Sequence, residues 1–138
     1  MNNVIPISRA RTSVRKYLSL EQATLLEENA VAAAILTLLY KSPTQDKSYS
    51  FSFLHRGILA SARNHRFAGL DEYKIEDIYE AASDLCRKNL VSIYTPPIDN
   101  RRWRAKKSKR LRLLSEFHTG TQGGDDIRRI LGTYMRYL

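Results

Sequence analysis

The chain has 138 residues, with 23 Lys and Arg against 14 Asp and Glu, a formal net charge of +9 and a pI near 9.9; 43% of its residues are hydrophobic. That length suits one domain with its own core, and a single cysteine, Cys86, excludes an internal disulfide and a cysteine-built zinc site. The longest uncharged apolar run, residues 30–40, falls well short of the ~20 residues a bilayer span needs, and the N-terminus has no signal-peptide apolar region, so the expectation is a soluble cytoplasmic protein without membrane contact, nucleoid-associated if it binds DNA.

Residues 1–18 form a low-hydrophobicity basic arm carrying Arg9, Arg11, Arg15 and Lys16 with no acid, and are expected to be flexible. Ser19-Leu20-Glu21-Gln22 reads as a capping box, because the Ser19 hydroxyl can accept from the Gln22 amide while Gln22 reaches back. The recurrence of Leu25, Leu26, Ala30, Ala33, Ala34, Thr37 and Leu38 predicts one helix from there to about Lys41, apolar nearly all round over 30–40, with Ser42-Pro43 as its stop. Residues 41–50 read as a loop. Ser50 can cap a second helix through about Asn64, with Phe51, Leu54, Ile58 and Ala62 on one stripe and base on the other face, where His55, Arg56 and Arg63 lie, followed by His65 and Arg66.

After Gly69, a third helix is predicted from about Tyr73 to Lys88, burying Ile75, Ile78, Ala82 and Leu85 and ended by Asn89, a residue that takes the left-handed conformation almost as glycine does. This stretch is acidic: Asp71, Glu72, Glu76, Asp77, Glu80 and Asp84 stand against Lys74 alone. Residues 90–95, LVSIYT, read as a strand closed by Pro96-Pro97. Residues 110–115 read as its partner, with Leu111 and Leu113 inward and Arg110 and Arg112 outward.

The hairpin so formed holds the densest feature of the sequence. From Arg101 to Arg112, Arg101, Arg102, Arg104, Lys106, Lys107, Lys109, Arg110 and Arg112 crowd together without an acid, around Trp103. Such a cluster repels itself, and a polyanion relieves it by releasing counterions, so nucleic acid is the leading partner; the alternative is a solvated loop. Trp103 either stacks on a base or wedges into a minor groove, or folds back on the hairpin.

A spacer with Gly120, Gly123 and Gly124 precedes a final helix opened by Asp125 and Asp126, whose charges suit its N-terminus. Its stripe of Ile127, Ile130, Leu131, Tyr134, Met135 and Leu138 either packs on the first helix or pairs with its copy across a two-fold axis; pairing is the favoured expectation and would make the protein a homodimer. Tyr94 and Tyr134 are expected in the core, and Tyr49, Tyr73 and Tyr79 at a partner surface. His55, His65 and His118 are not at metal-ligand spacing, and no phosphate loop, dinucleotide fingerprint or nucleophile motif appears; no metal, no cofactor and no catalysis are expected.

Three helices followed by a hairpin with a long basic loop is the winged helix-turn-helix order. Leu85, Asn89, Leu90 and Val91, then Asp99, Arg101 and Arg102, then Leu113, Leu114 and Ser115 resemble the wing phrase of MarR-type regulators. The resemblance covers roughly residues 20–116 and divides the chain into the arm (1–18), a winged-helix domain (19–116) and a linker with a C-terminal amphipathic helix (117–138). It implies duplex DNA binding, with the third helix in the major groove and the wing arginines on the backbone or in the minor groove. The residues depart from it at the third helix, where Glu76, Asp77, Tyr79, Glu80 and Ser83 occupy exposed positions that would face phosphates. Binding is therefore expected through the wing, the arm and Arg56, Arg63 and Arg66, and the acidic helix is a candidate for a protein partner. Two functions follow as expectations: a duplex DNA-binding regulator or a replication, partition or mobile-element accessory factor; or a non-catalytic adaptor or structural subunit of a nucleoprotein complex, with RNA as a possible partner.

Overall fold

Ser19 caps the first helix in the way its neighbours dictate: its hydroxyl accepts from Gln22 N at 3.1 Å, and the Gln22 side-chain Oε1 accepts from Ser19 N at 2.9 Å. The computed structural model describes residues 18–65, 70, 72–95 and 109–138, without the side chains at 64, 65 and 137. Helix α1 (Leu20–Glu28) is followed at once by α2 (Ala30–Tyr40), and the two axes meet at 106°. The single helix expected to Lys41 is thus two. Asn29 makes the corner: it adopts extended angles (φ −114°, ψ 101°) and its side chain accepts from Ala32 N at 3.0 Å, so it ends one helix and starts the next. Apolar recurrence runs straight through this point, but a short amide that caps its own downstream backbone competes with helix continuation.

Helix α2 is the centre of the molecule. All its residues except Ala30 and Leu38 are buried, and the Thr37 hydroxyl satisfies itself by donating to Ala33 O at 2.8 Å. No single described helix is long and apolar enough to cross a membrane.

The segment expected as loop contains a strand, β1 (Ser48–Ser50), paired antiparallel with β3 (Arg110–Leu113). Ser-Tyr-Ser has little strand character of its own, and distant pairing confers it. Ser50 then caps α3 (Phe51–His65) by accepting from Phe53 N at 3.1 Å, with Leu54 and Ile58 fully buried and Phe51 and Ala62 packed beside them.

Helix α4 (Ile75–Arg87) buries Ile78, Ala81, Ala82 and Leu85. Ile75, expected inside, is 46% exposed; helical spacing aligns it with Tyr79 on the flank beside the core rather than with Ile78. Asn89 has φ 58°, with Leu90 N donating to Leu85 O and Asn89 N to Cys86 O, both at 3.0 Å, which is the left-handed helix ending the sequence predicts. Strand β2 (Val91–Tyr94) follows and pairs antiparallel with β3, giving the order β1-β3-β2. Leu111 and Leu113 face the core and are fully buried.

A 3₁₀ turn (Ser115–Phe117) leads to α5 (Gln122–Ile130), capped by Thr121 accepting from Gly124 N at 2.9 Å, and then α6 (Gly132–Tyr137). The helix therefore begins before Asp125 and breaks at Leu131. Gly123 and Gly124 are its buried first turn and not a spacer: a Cβ on either would collide with the Glu116 or His118 carbonyl oxygen.

The C-terminal stripe, expected as a dimer surface, lies against the chain's own core. Ile127 and Leu131 are buried in the chain's own core, and Ile130, Tyr134, Met135 and Leu138 are half-buried against it. The face is occupied because α6 lies on α2 and α5 on α1. Residues 117–138 thus share the core of the rest, with Phe117 among its largest buried side chains. Tyr94 and Tyr134, expected in the core, are half-buried, Tyr134 packed against the core cluster. The described chain is mainly helical, with a small three-stranded antiparallel sheet.

Candidate nucleic-acid interface

Alternation along β3 decides which arginines meet solvent. With Leu111 and Leu113 inward, Arg110 and Arg112 project from the opposite face of the sheet. Arg112 sits between Ser48 and Ser92, and Arg110 between Ser50 and Tyr94. The Arg112 guanidinium lies 4.8 Å from the Tyr94 ring centroid, and its Nε donates to Ser92 Oγ at 3.4 Å. Arg110 is tied down more fully: Nη2 donates to Ser48 O at 3.1 Å and to Ser48 Oγ at 3.0 Å. The guanidinium fork keeps further donors on each arginine, which is what recognition of a phosphate uses.

Beneath them lies a group the sequence did not single out. Asp46 accepts from Tyr94 OH at 2.7 Å through Oδ2 and from Ser48 Oγ at 2.8 Å through Oδ1. The Tyr94 hydrogen bond is the main reason its carboxyl is held below the usual range, reinforced by Ser48 and Thr44 and opposed by burial. Asp46 therefore fixes the aromatic ring and the serine that in turn orient both arginines. Its only sequence signal is its place in a polar turn before a strand that the sequence does not announce.

Among the other residues expected to touch nucleic acid, Lys109 is exposed just before β3, and Arg56 and Arg63 are exposed one heptad apart on the solvent side of α3. Arg9, Arg11, Arg15, Arg66, Arg101, Arg102, Trp103, Arg104, Lys106 and Lys107 lie outside the described residues. Since β2 ends at Tyr94 and its neighbour β3 begins at Arg110, the basic run belongs to the connection between two paired strands.

The opposite charge gathers elsewhere. Glu27 and Glu28 of α1 and Asp77, Glu80 and Asp84 of α4, together with Glu72, line an open cleft of about 1050 Å³ at the α1–α2 corner, with Lys74 the one base among the described residues that line it. Tyr73, in its wall, meets His55 Nδ1 at 2.8 Å, and its phenol is pushed up to about 12 by burial first and then by the charge of Asp77 and by Tyr79. The ion pairs Lys88–Glu21 and Arg87–Asp84 are exposed and worth little to stability. Of the tyrosines expected at a partner surface, Tyr79 is 53% exposed, whereas Tyr49 and Tyr73 are half-buried, Tyr49 stacked on Phe53 at 4.1 Å.

Among the described residues no group of three His, Cys, Asp or Glu is placed to hold a metal. His118 packs by bonding Leu113 O at 2.8 Å. No family model matches the chain, and no curated protein or solved structure is significantly similar to it.

Proposed function

We propose that the chain is a non-catalytic winged-helix protein that holds duplex DNA through the hairpin of β2 and β3, in the role of a transcriptional regulator or of a replication, partition or mobile-element accessory factor. The observation that carries this is the pair Arg110 and Arg112, projecting together from the outer sheet face on the strand that completes the basic run 101–112. The topology supports it. A strand between the first helical pair and α3, then α4, then a hairpin, with sheet order β1-β3-β2, is the order of a winged helix. The wing supplies affinity, and Arg56 and Arg63 extend the basic surface, while α4 with its carboxylates stays out of the major groove.

Fluorescence anisotropy across a salt series tests the proposal, with random duplex DNA, single-stranded DNA and single-stranded RNA as ligands. Wild type should prefer duplex with a steep salt slope, and Arg110→Ala with Arg112→Ala should flatten that slope by about two units, one for each phosphate no longer neutralised. Equal or tighter binding to single strands alone, or no binding, would overturn it.

The acidic cleft favours a second reading, an adaptor in a nucleoprotein assembly whose α4 meets a basic protein segment. Saturable binding of oligolysine that is abolished in Asp77→Asn with Glu80→Gln, in a protein that binds no nucleic acid on its own, would decide for it.

A further inference from the structure

We infer that a groove between α3, α4 and β2 receives an unpaired nucleobase, so that the protein binds duplex DNA most tightly where the duplex ends in, or is interrupted by, a single strand. The inference rests on the DNA-binding reading above and names the form of DNA that reading leaves open.

The groove encloses about 410 Å³ and is lined by Phe51 and Ser52 at the start of α3, Tyr79 and Ser83 on α4, Ile93 on β2 and Lys109. Its aromatic wall is the pair Phe51 and Tyr79, with ring centroids 5.4 Å apart and planes at 40°. Tyr79 and Ile93 are 53% and 40% exposed, so this surface is not used by the chain's own core. Flat apolar walls with a few hydroxyls suit a ligand that has a π face and a hydrogen-bonding edge, which describes a nucleobase.

Charge points to the same occupant. Among the described residues of the lining Lys109 alone is charged, and it belongs to the basic run 101–112. Arg56 follows Ser52 by one helical turn on the solvent side of α3. Helix α4 is divided along its length: Tyr79, Ala82 and Ser83 border the groove, whereas Asp77, Glu80 and Asp84 line the acidic cleft on its other flank. A polyanion is repelled from that flank and admitted from the side of Lys109. The register adds position: Ile93 is opposite Leu111 and Tyr94 opposite Arg110, so the groove lies at the end of the hairpin where the basic connection leaves the sheet. A base held in a duplex stack must first unstack to enter a recess of this kind, and an unpaired base enters at least cost.

The test compares a blunt duplex with the same duplex carrying a short unpaired tail that contains 2-aminopurine, both bound by the full chain. The tailed duplex should bind more tightly, and its 2-aminopurine fluorescence should be quenched. Tyr79→Ala should weaken the tailed complex on the order of ten- to a hundredfold and leave the blunt one unchanged, while Tyr79→Phe keeps the preference. Tyr79 is exposed, so the folded state survives its truncation, which a thermal melt verifies. Equal affinity for both duplexes, an unquenched tail, or a tail preference that survives Tyr79→Ala would overturn the inference and leave DNA binding by the arginines standing. Tyr79-dependent self-association in sedimentation, without a tail preference, would overturn it by giving the groove to a second copy. Failure to bind either duplex would instead sink the underlying DNA-binding reading, and the inference with it.

Discussion

Two asparagines show how much a single residue decides here and how unequally the sequence reveals it. Asn89 was legible because it stands between a helical apolar pattern and a run of strand formers, where a left-handed residue is required. Its φ of 58° leads to an expected outcome: Asn89→Gly should hold stability, and Asn89→Ala should cost about 1–2 kcal/mol in urea denaturation. Asn29 was not legible, because apolar positions recur at helical spacing on both sides and nothing in the local chemistry says that its amide will cap forwards. Lys47, at φ 52° before β1, is harder still, since lysine has no signature for that conformation. Asp46 carries a pH dependence. Its folded pKa lies below the ordinary carboxylate value of about 3.9, so its contribution is full above that value and disappears as pH falls through the folded one. Asp46→Asn should be less stable than wild type at pH 7, and the two unfolding midpoints should draw together as pH falls below the ordinary carboxylate range.

At the scale of elements, periodicity revealed faces but not what covers them. The stripe from Ile127 to Leu138 has the spacing of an interface and the spacing of a core, and only the fold of the first helix pair decides between the two. Because α1 and α2 meet at 106°, they present separate surfaces to α5 and α6, and the stripe is covered within the chain. Leu131→Ala should therefore cost about 2–5 kcal/mol of folding stability. The destabilisation should be the same at low and high protein concentration, whereas a subunit interface would make it concentration-dependent. Strand β1 is illegible for the complementary reason: its three residues acquire extended structure from Arg110–Arg112 opposite, sixty or more positions away, and no local pattern carries that information. The hairpin strands β2 and β3 were legible because their alternation and β-branched content are their own.

At the scale of the whole molecule, a protein of net charge +9 gathers Glu27, Glu28, Glu72, Asp77, Glu80 and Asp84 around one cleft and shows arginine on the outer sheet face. The sequence displayed this zoning as blocks along the chain; only folding shows that the acidic block joins Glu27 and Glu28 across the α1–α2 corner. If DNA lies along the hairpin, Glu76→Gln with Glu80→Gln should raise affinity less than about twofold at physiological salt, where fields decay over about 8 Å, and more at low salt. Docking of α4 in a major groove would give a far larger gain at both salts, measurable in the same anisotropy titration.

The single cysteine turns the joint between α4 and β2 into its own reporter. Cys86 is half-buried, and burial pushes its thiol above the ordinary value, while a backbone hydrogen bond from Ile93 works the other way. At neutral pH few thiolates are present while the strand is seated. If DNA clamps the hairpin, maleimide labelling of Cys86 should slow when DNA is added, a change read without any engineered probe.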